Sequence, residues 1–526
     1  MAVNGLSENF WGDLKISPQD IEFIYNLLLE KAIPLSSNEI LDQFIRFRIQ
    51  NEIKAIEENQ SKNGDFYYPR ETYQVGDKLF FPASGEISGK VTSIRDGFNP
   101  DQGEFKVIEV TLESGKKKAF ASQVVNHSLN NLSLIPEDDP NLNLEIVTDR
   151  YKKTILEKLT SSLSQSEDLV LIAGNWFPRS LLVSVNTGHL NLAEAVLEEM
   201  GGGPLTTDSL MEQIELIDDA DQKLIEFSLN LALQEDDRFD EVGPAGETLW
   251  FLREMEPDCI KETPLHLRYT PYDMKSGDIS AYLEMFEDNL FDELEAWDSS
   301  NETEQNFCIS LIYPHWRAGT LPLSPSLRHL FPTAYEAPRI KFNFIDSEDK
   351  KPLAGWVARP GKYIYGLEEW YRKNELMPGS LVNVKKGKKP GEIEVSVEKS
   401  RQNKEWLKTV LIGTDQGIVF AMLKQSISVS FNERMAVAIP DVDAVDAIWQ
   451  KHTFEKENIG KTVLRIMREL SKLNPQGQVH AQELYASVNV VRRCPPSVIV
   501  STLINCDRVS HLGDLYFTLK DSDSND

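Results

Sequence analysis

A chain of 526 residues is too long for one core at roughly 100–200 residues per domain, and 41% hydrophobic against 26% charged residues excludes wholesale disorder. Its 83 acidic and 55 basic side chains leave a net charge of −28, a field that repels phosphate backbones, so any nucleic-acid contact must be a local patch. No run approaches the ~18–20 apolar residues that span a membrane, and Glu8, Asp13, Asp20 and Glu22 stand where a basic leader would be; a cytoplasmic protein without membrane contact is expected.

From Ser17 to Ile56 apolar residues recur at helical spacing with a break at Ala32 to Ser37. This predicts two helices, the second capped by Ser36 or Ser37 with Glu39 in its first turn. Residues 1–62 are then either a helical hairpin that only packs or a partial winged helix. After the polar run Asn59 to Asp65, short β-rich segments at 73–82, 89–95, 105–112 and 118–120 predict a small antiparallel barrel over 66–128. Lys116, Lys117 and Lys118 follow Gly115 in a hairpin and read as a solvated turn in preference to a phosphate contact. Residues 145–186 read as a connecting α/β segment, with a helix near Thr148 to Leu163.

Residues 187–257 are the most informative. Leu192, Ala195, Val196 and Met200 place an apolar stripe on one helix, which Gly201-Gly202-Gly203-Pro204 ends. Thr206 or Thr207 caps a second helix with Leu210, Met211 and Ile214, and a third, from Ala220 to Gln234, turns Leu224, Phe227, Leu231 and Leu233 inward. Two strands around Gly243-Pro-Ala-Gly246 follow. Three helices and a hairpin are the winged-helix layout.

The order GHLNLAEAVLEEMGGGPLTTDSLMEQI, a third helix, and DDRFDEV followed by ETLWFLREMEP resembles the HARE-type winged helix of the delta subunit of bacterial RNA polymerase and related bacterial and chromatin-associated domains. Asp237-Arg238-Phe239 opening the hairpin and Trp250-Phe251-Leu252 closing it are the matching features. The resemblance covers Gly188 to Pro257. It implies an accessory role in transcription and carries no catalytic residue; the long acidic tail of the family is absent from its place.

A second copy occupies 459–521. Val463, Ile466, Met467 and Leu470 form its first helical face, Val479 to Val488 its second helix, and Pro495 and Pro496 start a third filled by Val498, Val500, Leu503 and Ile504. The hairpins align as Asp237-Arg238-Phe239 with Asp507-Arg508-Val509, and Leu249-Trp250-Phe251 with Leu515-Tyr516-Phe517. Between the copies lie an acidic helical region and loop over 258–335 and a β-rich domain over 336–458; an acidic tail, 522–526, ends the chain. In the β-rich domain Lys385-Lys386-Gly387-Lys388-Lys389 makes a hairpin tip. Trp356, Tyr363, Tyr365, Trp370 and Tyr371, interleaved with Lys362, Arg372 and Lys373, suit a stacking platform for single strands or, in preference, the filling of a small barrel.

Charge divides the two copies. Residues 187–257 hold 18 acidic and 3 basic side chains, whereas 460–520 hold 4 acidic and 8 basic. A recognition helix bearing Asp218, Asp219, Asp221 and Glu226 is repelled from a major groove, so these carboxylates are assigned to protein docking or nucleic-acid mimicry. Arg492 and Arg493 precede the third helix of the basic copy, the position from which helix-turn-helix proteins reach phosphates or base edges. With Arg508 and the tip lysines Lys385, Lys386, Lys388 and Lys389 they are the candidate nucleic-acid contacts.

Motifs of catalysis are missing from the sequence. There is no phosphate-binding Gly-rich loop, no His-Glu-x-x-His and no Gly-x-Ser-x-Gly. The histidines stand alone, and the four cysteines lack a Cys-x-x-Cys pair and read as small buried hydrophobes. Asp441, Asp443 and Asp446 fit helix capping better than a nuclease metal site. No catalytic residue, metal site or cofactor is expected.

The sequence thus predicts a multidomain α+β protein combining winged-helix modules with small antiparallel β-barrel-like units. The expected function is that of a non-catalytic accessory or regulatory factor in bacterial transcription or another DNA-centred process. It would dock RNA polymerase or another basic protein surface through the acidic copy and DNA through the basic one. The alternatives are a protein–protein scaffold using winged helices without DNA contact, or a non-catalytic subunit of a DNA-processing or defence system.

Overall fold

The computed structural model describes residues 9–61, 65–81, 87–99, 103–131, 139–214, 219–272, 279–286, 290–295, 305–389, 391–413, 417–452 and 454–520. The fold is α+β and multidomain, with six sheets among the described residues. The chain divides into two compact units: Met1–Val183 with Asp219–Phe227, and Ser184–Asp218 with Ser228–Asp526. Among the described residues no helix is long and apolar enough to cross a membrane.

The first unit opens with helix Pro18–Lys31, whose end is fixed by reciprocal hydrogen bonds between Ser17 and Asp20. Strand Leu35–Ser36 and helix Ser37–Ser61 follow. Of the two candidate caps Ser36 is the one used: its Oγ accepts from the Glu39 amide at 3.2 Å, and the Glu39 carboxylate accepts from the Ser36 amide at 2.8 Å. The partner elements come much later in the chain. Helix Leu144–Leu163 is followed by a hairpin, Leu169–Ile172 with Asn175–Pro178, turned by Ala173 and Gly174. Both turn residues have positive φ (50° and 76°), the two-residue geometry whose twist matches the flanking strands.

Strand 175–178 lies between 35–36 and 169–172. The segment 145–186, which the sequence presents as a connector, is therefore the third helix and wing of a complete N-terminal winged helix. Its core joins Ile24, Leu28, Leu41 and Phe44 to Val147, Ile155, Leu159 and Trp176. The two halves are separated in sequence by an inserted five-stranded sheet, Asp65–Phe66, Lys78–Phe81, Ile87–Asn99, Gly103–Leu112 and Lys117–Ser122, arranged in chain order. The expected antiparallel barrel is corrected in two respects: its first strand pair runs parallel, and among the described residues the sheet is open, with its first and last strands unpaired to each other. The sheet curls: Tyr67 donates to the Ala121 carbonyl at 2.5 Å, and Phe81 stacks on Phe120 with centroids 4.1 Å apart.

The middle module, which falls in the second unit except for Asp219–Phe227, has helices Thr187–Glu199, Thr207–Met211 and Gln222–Glu235, strand Leu205–Thr206, and hairpin Phe239–Glu241 with Leu249–Leu252. The C-terminal module repeats the plan with helices Ile459–Ser471, Ala481–Val488 and Pro496–Ile504, strand Gln478–His480, and hairpin Val509–Gly513 with Tyr516–Leu519. In each, the last strand lies between the other two, as in the N-terminal module.

Register makes the three modules comparable residue by residue. Leu35 pairs with Trp176, Leu205 with Trp250, and Val479 with Phe517, each pair one residue before the second helix's cap. The sequence alignment of the last strands is therefore corrected by one position: Trp250 corresponds to Phe517, and Leu515 belongs to the turn, where its φ is 63°. A one-residue slip would turn every side chain to the opposite face.

The first helix of the middle module also departs from expectation. Two overlapping apolar stripes compete on it, and the structure buries Ala193 and Leu197 while leaving Leu192 and Met200 49% and 59% exposed. Gly202 allows the turn after it. Its φ is +94°, and a Cβ there would meet Phe251 and Met255 at 3.0 Å.

Between these modules stands a seven-stranded sheet in the order 306–310, 381–386, 392–396, 339–346, 352–358, 363–365, 320–322. The acidic helical region and connecting loop expected over 258–335 are thus corrected: Asn306–Ser310 and Thr320–Pro322 are strands of this sheet, and Leu327, Leu330 and Phe331 fill its core. A long hairpin, Lys399–Ile412 with Ile418–Val429, follows. Its Val410, Ile418 and Phe420 join the C-terminal module's core.

Candidate functional site

The residues that favoured DNA contact lie in the turn between helices Ala481–Val488 and Pro496–Ile504. Asn489 builds this turn, donating to the carbonyls of Tyr485 (2.9 Å) and Cys494 (2.8 Å) and accepting from the Cys494 amide (3.1 Å) and from Arg493 Nη1 (3.1 Å). The turn aims Arg493 inward. Its Nη2 meets Asp292 Oδ1 at 2.6 Å and Glu293 Oε1 at 2.9 Å, and the residue is 1% exposed. Glu293 Oε2 lies 2.9 Å from His315 Nε2, and Asp292 Oδ2 accepts from Tyr485 at 2.7 Å.

The helix beyond is covered as well. The Ser497 amide in its first turn donates to Glu295 Oε1 at 2.7 Å, and Pro496 to Ser501 and Leu503 are all buried. Carboxylates 292, 293 and 295 of one segment therefore engage Arg493 and the first turn of this helix, the groups that a recognition helix would turn to phosphates. The assignment of Arg493 to nucleic acid is corrected for this reason. Arg492 is held by the carbonyls of Phe454 (2.8 Å) and Glu457 (2.6 Å), while Arg508 is exposed.

Three buried carboxylates against one guanidinium must differ in ionisation. Burial opposes the charge on Glu293, but Arg493 and His315 outweigh it and hold this carboxyl well below the usual range. Burial raises Asp292 despite Arg493, with Glu293 adding to the rise. Glu295 is pushed up to about 7 by burial, with Asp292 adding to it. A carboxyl raised on folding stabilises the protein below its unfolded pKa of 4.5, and that contribution is lost as pH rises through about 7. Glu295→Gln keeps an acceptor for Ser497 and removes the titration. Thermal melts from pH 5 to 8 are expected to show the wild type losing about 2.5 kcal/mol relative to this variant; parallel pH profiles would contradict the assignment.

A second network ties Asp446 to Arg317 (2.7 Å), His266 (3.0 Å) and Tyr313 (3.0 Å). Asp441 caps its helix, accepting from the Ala444 amide at 2.9 Å. Among the described residues no group of three or more His, Cys, Asp or Glu is placed to hold a metal ion. Cys494 is buried, but Cys259, Cys308 and Cys506 are only half-buried, which corrects their expected burial.

Lys385, Lys386, Lys388 and Lys389 are exposed as expected of a tip, yet they do not form a bare cationic cluster. Lys385 pairs with Glu394 at 3.2 Å and Lys389 approaches Glu392 at 3.9 Å. Glu394 is held well below the usual carboxylate range, first by Lys350, with burial opposing and Ser347 and Lys385 assisting. The preceding aromatics do not form an open stacking platform, because Trp356, Tyr363, Trp370 and Tyr371 are buried.

In the middle module, Asp219 and Asp221 are exposed and Glu226 is half-buried; Asp218 lies outside the described residues. Asp221 accepts from the Lys223 amide at 2.9 Å, a capping role. The module's solvent-facing acidity is organised elsewhere, in a cleft of about 780 Å³ lined by Glu194, Glu198, Asp237, Glu254, Met255 and the cations Arg238, Arg253 and Lys261. Those cations are engaged: Arg238 by Asp236 (2.8 Å) and Glu194 (2.5 Å), Arg253 by Asp237 (3.3 Å), and Lys261 by the Glu254 carbonyl (2.8 Å). Glu198 and Glu254 have no ion pair among the described residues. The sequence pattern does not show this cleft because its walls, Glu194 and Glu198 against Asp237 to Lys261, are 39 to 67 positions apart.

Comparison of the chain with known protein families, with curated proteins and with solved structures finds no match.

Proposed function

We propose that the chain is a non-catalytic accessory or regulatory factor in transcription or another DNA-centred process, acting in the cytoplasm. Its middle module docks on a basic protein surface, such as that of an RNA polymerase. The cleft of the acidic module carries this reading. It joins Glu198 and Glu254, which form no ion pair among the described residues, to exposed Met255, and the same module exposes Leu192 and Met200. Apolar side chains beside unpaired carboxylates suit a cationic, partly apolar partner. The HARE-type resemblance of the same residues points to the same process. The C-terminal module is an internal anchor in this reading, and the contacts of its third helix are protein contacts.

The test is association of the full chain with purified bacterial RNA polymerase core. Glu198→Lys with Glu254→Lys, both exposed, is expected to weaken association by about tenfold or more and to flatten its salt dependence. Equal affinity of variant and wild type, or no association at low salt, would remove the proposal.

A further inference from the structure

The outer face of the inserted sheet carries a row of lysines from three strands. Lys78 lies directly opposite Lys90, Lys90 opposite Thr111, and Thr111 opposite Lys117. All three lysines are exposed, and none makes an ion pair among the described residues. Lys116 and Lys118 flank the end of the row and are exposed too. Like charges directly opposite on neighbouring strands destabilise a sheet. Elsewhere this sheet avoids that cost, for Asp96 and Lys106 stand opposite each other and form an ion pair.

Glu109, on the same strand as Thr111, and Glu113, just after that strand, form no ion pair with the row among the described residues. Glu109 accepts from Ser93 Oγ at 3.0 Å, and Glu113 accepts from Ser88 Oγ. At 4.7–4.9 Å between strands, four strands span roughly 14 Å. One DNA strand presents a phosphate about every 3.4 Å of helix axis, so the row passes about four phosphates. The row itself holds cations and one threonine, with no aromatic or large apolar anchor of the kind that dominates protein interfaces.

We propose that this lysine row is a sequence-independent nucleic-acid site that holds the phosphate backbone. Such a site functions on a chain of net charge −28 because distant carboxylates are screened over about 10 Å at 0.1 M salt. It is independent of the docking cleft and of Arg492 and Arg493.

The experiment measures binding of the full chain to a 20-base-pair duplex of arbitrary sequence at 50 and 200 mM salt. The comparison is with Lys78→Ala/Lys90→Ala/Lys117→Ala. Three backbone contacts correspond to a loss of about fortyfold between the two salts for the wild type, and the triple variant is expected to lose that dependence. Circular dichroism of the variant confirms its fold, since all three side chains are exposed. Wild-type binding that the triple variant abolishes, and that removal of three exposed cations of helix Leu144–Leu163 by Arg150→Ala/Lys152→Ala/Lys153→Ala leaves intact, supports the site. Unchanged binding by the triple variant, no binding at 50 mM, or equal competition by polyglutamate of the same charge overturns it.

Discussion

Arg493→Ala is expected to destabilise the second unit by about 3–5 kcal/mol, the cost of leaving a buried charge unpaired. The guanidinium uses Nε, Nη1 and Nη2 on Glu293, Asn489, the Cys494 carbonyl and Asp292. After truncation, no cation of fixed charge would face two carboxylates that are each 2% exposed, and Tyr485, His315 and the Leu294 amide would remain as their partners. Lysine cannot restore that fork, because it offers a single charged centre. Trp449, which donates to the Val490 carbonyl at 2.8 Å in the same core, reports the change as a lower urea midpoint in fluorescence. Arg492→Ala removes bonds to two carbonyls at the surface and is expected to cost about 1 kcal/mol. Charge reversal at Arg493 would therefore lower stability whether or not the chain binds DNA. Equal midpoints for Arg493→Ala and Arg492→Ala would contradict the inward placement.

Trp250→Ala is expected to cost about 3–5 kcal/mol, by loss of buried area and a cavity in the middle module. Trp250 packs against Leu197, Leu210, Leu229 and Leu233 in a core of nine buried residues. Its Nε1 also donates to Asn230 Oδ1 at 2.9 Å and lies 3.2 Å from Thr207 Oγ1. Trp250→Phe keeps most of the volume and leaves the Thr207 to Asn230 bond (2.6 Å) in place, so a much smaller loss in melting temperature is expected. The equivalent Trp176 makes the corresponding bond, to Ser37 Oγ at 2.9 Å, in the N-terminal module. Comparable losses for the alanine and phenylalanine variants would show that the indole's packing is not what holds this core.

The sequence made the middle and C-terminal winged helices legible because their helices, turns and hairpins are contiguous. The faces of Val463, Ile466, Met467 and Leu470 and the Pro496 helix start follow from period and capping alone. The N-terminal module was only half legible, since 65–122 separate its second and third helices and wing pairing between Leu35 and Trp176 spans that insertion. Charge counting read the basic balance of 460–520 correctly but could not tell an outward arginine from one sealed by carboxylates some 200 positions earlier. The signal was present in Asp292, Glu293 and Glu295, three acids among apolar Leu290, Phe291 and Leu294, a pattern that places carboxylates near a core. Lys78, Lys90 and Lys117 became a row only through strand register, which no single-strand pattern contains.

The central claim is that the third helix of the C-terminal module faces the protein interior and is unavailable to DNA. Amide hydrogen exchange of Val498 to Leu503 in the full chain, with and without saturating duplex, tests it most directly. The account predicts slow exchange, released only by global unfolding and unchanged by duplex, while the inserted sheet around Lys90 gains protection. Fast exchange of that helix in the isolated chain, or protection of it on adding duplex, would contradict the account.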